Sequence, residues 1–418
     1  MILKQELLKI VKTPVIPALL AFFMLINLII IISDYHQKDE MKVLTNMVEK
    51  YGYHIDEEML SSMEDDYKEN VTWMNQVVQV NDKTYEHPSA LLSNDSISLQ
   101  ERLNDQKLRK LQKFSVMEQY YRTSRQVDDI YQNIQVSKQA EKLINMYNLQ
   151  GEAAETVRNG YQKVKERLAE IIDNGEHRNL FFKGTAYEKH SFLFGSIARA
   201  LIFELMGLVV LITAFAVNFE FEQKTHLLTY TSRTGRNLVW HKAAAAAVST
   251  LAVIAVLTGF TLLCYFLIYD YSGLWHVPIS SYFNTELKFP YISWWNVSFI
   301  QYLGLFIVCL TLTQLLFMAI SMILSIFIKN SYIVFLVFSI IFGIGLLVPT
   351  MMPLNQNVMF AVHFTPFSLI LNPHTWFMGN GALTFFRYYE AATIGGWMVL
   401  LAILVSVSVR FFKKQPLS

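Results

Sequence analysis

The sequence predicts an all-α membrane protein with six transmembrane helices and an extracellular helical-hairpin domain. Two observations support this fold class. First, 53% of the 418 residues are hydrophobic and only 17% are charged, whereas roughly a quarter of the residues of a soluble protein are charged. Second, the charged residues are concentrated between about positions 36 and 190 and are sparse after that. The chain therefore divides into one polar insert and several apolar stretches.

Six apolar stretches are long enough to cross a bilayer, which takes about 20 helical residues. They are residues 14–33, 197–218, 243–269, 299–328, 332–348 and 391–412. Lys329, Asn330 and Ser331 predict a tight turn between the fourth and fifth spans. Residues 243–418 then hold spans three to six, with an interfacial outer segment at 350–390.

The basic residues of the short loops predict the orientation, because cytoplasmic loops carry an excess of Lys and Arg. One side of the membrane would carry Lys4, Lys9, Lys12, Lys224, Arg233, Arg236, Lys242, Lys329, Arg410, Lys413 and Lys414. The loops of the other side offer Lys288 and Arg387. We therefore expect a multi-pass protein with both termini in the cytoplasm and residues 34–196 outside. The membrane is expected to be a bacterial plasma membrane.

The insert at 34–196 predicts an extracellular helical domain. Apolar residues spaced three and four apart predict one long helix over 106–149 and a second helix after Gly151. The two helices are expected to fold back as an antiparallel hairpin. The Asp56-Glu57-Glu58 run predicts the start of an earlier helix. No metal-ligand cluster or nucleophile is apparent, so a rigid stalk and a gating or ligand-sensing cap both remain open.

The segment between the second and third spans, 219–242, is short and mixed in charge. In chain order its notable residues are Glu220, Glu222, Thr225, Leu227, Leu228, Ser232, Arg233 and Lys242. Acidic residues thus precede an apolar pair, a Ser-Arg pair follows, and a lysine stands at the mouth of the next span. Residues 1–13 predict a basic amphipathic helix with Leu3, Leu7, Ile10 and Val11 on one side.

This order resembles the corresponding loop of the ABC-type-two permeases, an exporter family that includes polysaccharide, drug and lantibiotic-resistance transporters. That loop runs Glu, Gly-Thr, Leu-Leu, Thr-Pro-x-Ser-Arg, and then a Lys opening the third span. The matching positions are filled by Glu222, Leu227, Leu228, Ser232, Arg233 and Lys242. The Gly before Thr225 and the Pro before the Ser-Arg pair are missing from this chain.

The resemblance implies that 219–242 is a coupling loop that docks on a separate ATPase subunit. The expected contact residues are Glu220, Glu222, Thr225, Leu227, Leu228, Ser232, Arg233 and Lys242. The resemblance also implies that 1–13 is a connecting helix and that 350–390 holds one or two partly inserted helices. An ordinary basic loop with no partner remains the alternative.

The chain contains no G-x-x-x-x-G-K-[ST] phosphate loop, so it is not expected to hydrolyse ATP by that route. The resemblance implies a transport subunit and not an enzyme. ATP and Mg would be bound by the partner ATPase, with no cofactor or metal in this chain. The other expected partners are a second permease half, identical or different, and membrane lipids; no nucleic acid is expected. The expected cargo is an amphipathic peptide, lipid or antibiotic, as in antimicrobial peptide resistance. The alternatives are a non-transporting sensor or mechanotransmitter whose hairpin acts on an envelope partner, and a membrane scaffold without an ATPase.

Polar side chains inside the spans are candidate pathway or gating residues, because charge is costly in hydrocarbon. Glu204, Asn27 and Gln314 are the residues in question. The alternative is that they form structural hydrogen bonds between spans. Thr311 and Thr313 are expected to serve that structural purpose.

Overall fold

The computed structural model describes residues 2–33, 38–78, 84–92, 103–180, 188–231, 235–281, 285–286 and 289–414. Within this part of the chain, six helices are long and apolar enough to cross a membrane. They are Val15–Ser33, Ser191–Glu222, Gly235–Ile268, Phe299–Phe327, Ser331–Met351 and Tyr389–Lys414, called the first to sixth spans below. They confirm the six predicted stretches, and most are several residues longer than predicted.

The second span is the centre of the bundle. Within its most apolar stretch 78% of the residues are buried, against 17% in the first and fifth spans. It contacts the first, third, fourth and fifth spans. Two side chains of the fourth span, Gln314 and Ser321, donate to its backbone at Ile202 O and Val210 O. The peripheral spans leave apolar surfaces exposed, as lipid-facing helices do.

The fourth and fifth spans are joined by the tight turn that the sequence predicts. The α-helix of the fourth span is Phe299–Phe327 and that of the fifth is Ser331–Leu347. Asn330 caps the fifth span, because its side chain accepts hydrogen bonds from the N–H groups of Tyr332 and Ile333.

The polar insert forms a helical domain. Its helices are Lys38–Tyr51, Glu57–Val77, Asp105–Ser124, Val127–Gln132, Val136–Met146 and Gly151–Asp173. The second of them begins where expected, since Asp56 caps it by accepting the N–H of Met59. Val136–Met146 and Gly151–Asp173 pack against each other as a helical hairpin.

The single long helix predicted over 106–149 is wrong, because the chain breaks twice into three helices. A straight helix turns about 100° per residue, so Tyr121 and Val127 would lie about 120° apart on it. Tyr131 and Val136 would lie about 140° apart. All four side chains are nevertheless buried. The breaks after Ser124 and Gln132 change the direction of the chain, so that each new helix can bury its own apolar face.

The segment between Leu347, where the α-helix of the fifth span ends, and the sixth span is less helical than expected. Its two α-helices, Val358–Ala361 and Pro366–Leu369, are one turn each, beside 3-10 turns at Val348–Met351 and Pro373–Thr375. Proline can begin a helix but interrupts its interior, which keeps these pieces short. They lie at the end of the bundle that carries the helical domain, together with a two-stranded hairpin of Thr285–Glu286 and Phe289–Pro290. We call this end the domain end.

Candidate functional site

The opposite end of the bundle, which carries Lys9, Lys242, Lys329 and Lys413, is called the basic end. The N-terminal helix, Ile2–Val11, lies there against the second and third spans. Its buried residues are Glu6 and Ile10, each 3% exposed, whereas Leu3 and Val11 are exposed. The predicted apolar face is therefore only partly confirmed, because Ile10 is buried but the carboxylate of Glu6 lies in the middle of the buried face.

Glu6 belongs to a cluster of four charges with Lys9, Glu220 and Lys242, called the charge cluster below. The Nζ atom of Lys9 lies 2.5 Å from Glu6 Oε1 and 2.8 Å from Glu220 Oε1. The Nζ atom of Lys242 lies 3.3 Å from Glu6 Oε2 and also pairs with Glu220. The charges balance, and this makes their burial tolerable. The cluster joins the N-terminal helix to the ends of two spans.

Lys9 is the least buried member of the charge cluster, and the neighbouring carboxylates determine the pKa of its ammonium group. Burial alone would lower the pKa of its ammonium group, but the hydrogen bonds with Glu220 and Glu6 raise that pKa above the ordinary 10.5. Lys9 therefore stays charged near neutral pH and keeps the cluster electrically balanced.

The predicted coupling residues separate into three groups. Glu220 and Lys242 are 2% and 1% exposed, and they face the N-terminal helix. Glu222 is exposed, and its Oε1 accepts the N–H of Ser331 at the start of the fifth span, 2.7 Å away. The remaining described members, Thr225, Leu227 and Leu228, are exposed at the surface. Ser232 and Arg233 lie outside the described residues.

Leu227 and Leu228 lie on a short helix, His226–Tyr230, which we call the basic-end helix. Their exposed fractions are 51% and 81%, whereas Tyr230 is 5% exposed. The ring of Tyr230 meets Phe412 of the sixth span edge-on at 5.4 Å and lies 5.6 Å from the ring of Phe221. One side of the helix is thus anchored in the bundle, and the other presents two leucines outward.

Inside the bundle, Asn27, Glu204 and Thr261 meet at one point of the first three spans. The Asn27 amide nitrogen donates to Glu204 Oε2 at 2.8 Å and lies 3.1 Å from Thr261 Oγ1. The structure thus brings together two of the three candidate pathway residues. Thr261 carried no distinguishing signal in the sequence, since threonine is common in membrane helices.

Gln314 is separate from this group, because its amide nitrogen donates to Ile202 O at 3.0 Å. This hydrogen bond joins the fourth span to the second, as expected if Gln314 is a structural residue and not a pathway residue. Thr311 and Thr313 do not, since their hydroxyls donate to Ile307 O and Cys309 O of their own helix. The expectation for these two threonines is therefore wrong. A threonine hydroxyl that donates to the carbonyl four residues earlier in its own helix needs no hydrogen bond to a neighbouring span.

Sequence reasoning missed Glu6 and Lys9 as members of the charge cluster. A usable signal was present, because Glu6 is the only acidic residue among the first 33. A lone carboxylate in a basic helix that lies on a membrane bundle needs a cation nearby.

Comparisons with protein-family models, with curated proteins and with solved structures found no match to this chain. The class of protein therefore follows from the structure itself. The six apolar helices of the described residues, of which the second span is the most buried, indicate an all-α, multi-pass membrane protein.

Proposed function

We propose that this protein is the permease subunit of an ATP-binding-cassette exporter that moves an amphipathic peptide, lipid or antibiotic outward. A separate subunit would hydrolyse the ATP. The observation that carries the proposal is the basic-end helix, which is anchored through Tyr230 and presents Leu227 and Leu228 to the outside.

An exposed leucine pair on an anchored helix is suited to docking. Burying a leucine side chain contributes about 1.5–3 kcal/mol, and interfaces centre on a few such apolar residues with charges around them. Because Tyr230 already fixes the helix, little conformational freedom is lost when a partner covers the leucines.

The same helix is connected to several spans, as a coupling element must be. The Thr225 N–H donates to Glu220 O at 2.9 Å, and Glu220 is held in the charge cluster with the third span and the N-terminal helix. Glu222 and Asn218 bond to Ser331 N and Ile328 O at the turn before the fifth span. A force on the basic-end helix would thus reach the second, third, fifth and sixth spans.

Under this proposal the basic end faces the cytoplasm, where ATP is found and where basic loops of membrane proteins are enriched. Two such subunits, identical or different, would form the translocation path with two ATPase subunits. Mg and ATP would be bound by those ATPases alone.

Copurification tests the docking step. Tagged full-length chain is isolated from its native host in mild detergent, and the bound nucleotide-binding subunit is quantified. We expect Leu228→Asp to reduce the bound ATPase at least tenfold, since one lost apolar contact and one buried charge together exceed about 1.4 kcal/mol. Met146→Asp is the matched control, because Met146 is 63% exposed on the helical hairpin at the domain end.

The proposal fails if no nucleotide-binding subunit accompanies the wild-type chain. It also fails if Met146→Asp removes the ATPase as completely as Leu228→Asp does, because the loss would then be unrelated to the basic-end helix.

A second candidate function, a non-transporting mechanotransmitter, is favoured by the attachment of the helical domain to the bundle. The Arg167 side chain of the hairpin donates to Ser293 O at 2.9 Å and pairs with the buried Glu176. Movement of the spans would therefore move the hairpin. Reconstituted vesicles discriminate the two functions: ATP-dependent accumulation of a labelled amphipathic peptide supports export, whereas ATP-dependent hairpin movement without accumulation supports the mechanotransmitter.

A further inference from the structure

A cleft of about 840 Å³ lies between the helix Gly151–Asp173 and the start of the sixth span. This volume is within the range of about 300–1,000 Å³ typical of small-molecule sites. We propose that the cleft binds the headgroup region of a single anionic phospholipid from the surrounding bilayer. The proposal is independent of export, since it requires neither an ATPase nor a transported cargo.

The walls of the cleft combine aromatic rings with cations. Phe364, Phe385, Phe386 and Tyr388 supply the rings, and Lys163 and Arg387 supply exposed cations. Among the described residues neither cation forms an ion pair. Arg387 instead lies over Trp295 and Tyr388, 5.8 and 5.7 Å from the ring centroids. An unpaired arginine held by aromatic rings is suited to a phosphate group.

Trp294 supplies an independent observation. It lines the cleft and is 6% exposed, and its Nε1 has no hydrogen-bond partner among the described residues. A buried indole N–H normally finds an acceptor. An oxygen of a phosphate or an ester group bound in the cleft would provide one.

The position of the cleft decides the source of the phosphate. Arg387 and Tyr388 directly precede the sixth span, and Ala392 lies in its first turn. At this height a helix leaves the hydrocarbon and meets the lipid headgroups, where aromatic side chains collect. A lipid already in the bilayer reaches the cleft without leaving the membrane, with its acyl chains beside the apolar sixth span.

The acidic residues at the cleft do not cancel its preference for anions. Arg167 is paired with Glu170 and Glu176, which leaves a net charge of −1 on these three side chains, but Glu176 does not line the cleft. The charged side chains that do line it are three cations, Lys163, Arg167 and Arg387, and two carboxylates, Glu166 and Glu170. The lining of the cleft therefore carries a net charge of +1.

Native mass spectrometry of the detergent-purified full chain tests the proposal with two probes, phosphatidylglycerol and phosphatidylcholine. We expect one phosphatidylglycerol molecule to be retained preferentially, and Arg387→Gln to weaken its binding about tenfold. Trp294→Phe, which keeps the ring and removes the N–H, is expected to weaken it severalfold. Arg410→Gln is the matched control, because Arg410 is an exposed cation near the other end of the same span.

Three outcomes would overturn the proposal. The first is retention of phosphatidylglycerol by Arg387→Gln at the wild-type level. The second is an equal loss in Arg410→Gln, which would indicate a general attraction of anionic lipid. The third is full displacement of phosphatidylglycerol by soluble glycerol phosphate or by a cationic amphipathic peptide, each at a concentration similar to that of the lipid. This result would indicate that the occupant of the cleft is not a membrane lipid. Arg387 is exposed, so its replacement removes the contacts with the Trp295 and Tyr388 rings but no buried packing.

Discussion

The charge cluster shows how single residues at the basic end depend on one another. Glu6, Lys9, Glu220 and Lys242 come from three helices, and three of the four are almost fully buried. Removing one member leaves an uncompensated charge in a place that water does not reach, which costs about 3–5 kcal/mol for buried pairs. Removing one of each sign keeps the balance.

We therefore expect strong non-additivity between Glu220→Gln and Lys242→Met. Each single change should lower the free energy of unfolding by about 3 kcal/mol, and the double change should lower it by clearly less than the sum. Equilibrium unfolding in mixed detergent micelles gives the coupling energy of this double-mutant cycle. Additive effects would show that the two side chains do not interact.

A second prediction at the residue scale concerns the group inside the first three spans. Asn27→Leu leaves Glu204 without its hydrogen-bond donor and should destabilise the fold by about 1–2 kcal/mol. Glu204→Gln keeps an acceptor for Asn27 and should change stability by less than about 1 kcal/mol. Thr311→Val is the control, because among the described residues the Thr311 hydroxyl bonds only to Ile307 O of its own helix. Loss of transport in a stable Glu204→Gln protein would assign Glu204 to the pathway instead.

At the scale of elements, the helix Gly151–Asp173 approaches the bundle closely at Gly160. A Cβ atom placed on Gly160 would lie 2.0 Å from Cε2 of Phe385, and Phe385 is only 1% exposed. Only glycine fits this contact without moving one of the two elements.

Gly160→Ala should therefore destabilise the protein by about 1–3 kcal/mol, as overpacking does, although alanine is the better helix former. Gly207→Ala in the second span is the matched control, since nothing lies within 4 Å of its added Cβ. Thermal unfolding of the two variants measures the difference, and we expect the lower melting temperature for Gly160→Ala. Equal melting temperatures would mean that the contact between Gly160 and Phe385 accommodates a methyl group without loss of stability.

The attachment of the helix Val127–Gln132 to the turn after the hairpin should depend on pH. The hydrogen bonds from Arg178 lower the pKa of the Asp128 carboxyl below its ordinary 3.8, with His177 adding a smaller effect in the same direction. A lowered pKa contributes stability that is complete above the ordinary value and disappears as the pH falls through the lower, folded value.

Acidification below pH 3.8 should therefore increase hydrogen exchange in Val127–Gln132 before the spans open. Asp128→Asn should already exchange faster at neutral pH and should show no further change over this range. A wild-type profile that stays flat down to the lowest pH would refute the role of this carboxylate.

At the scale of the whole molecule, the helical domain and the bundle are joined through Arg167. Its guanidinium group bonds Glu176 within the domain and Ser293 O in the connection between the third and fourth spans. Glu176 is 3% exposed and Arg167 5%, so this link is largely shielded from water.

Arg167→Met should loosen the domain from the bundle, because Glu176 loses its cation and Ser293 loses a donor. The expected loss is about 3–5 kcal/mol. Arg167→Met combined with Glu176→Gln should recover much of the stability but not the link to Ser293. Spin labels at exposed sites on the hairpin and at the basic end would then give broader distance distributions in both variants. Narrow, unchanged distributions would show that other contacts suffice to hold the domain.

The six spans and the start of the helix at Glu57 could be predicted from the sequence, because both depend on local composition. Length and apolarity alone are enough to select a membrane helix, and an N-cap needs only its own first turn. Leu227 and Leu228, predicted as contacts of an ATPase, are exposed, and that contact stays a prediction.

Only the tertiary structure decided which polar groups meet. Glu220 and Lys242 are 22 residues apart. The lone carboxylate of Glu6 predicts a cation nearby, but nothing local shows that Glu220 and Lys242 are the groups that meet it. The break of the helical domain at Ser124 likewise depends on what its neighbours can bury. The length and apolarity of a segment can be seen in that segment alone, and for this reason the spans could be predicted from the sequence. The pairing of charges and the packing of helix faces depend on which helices come together, and for this reason only the tertiary structure shows them.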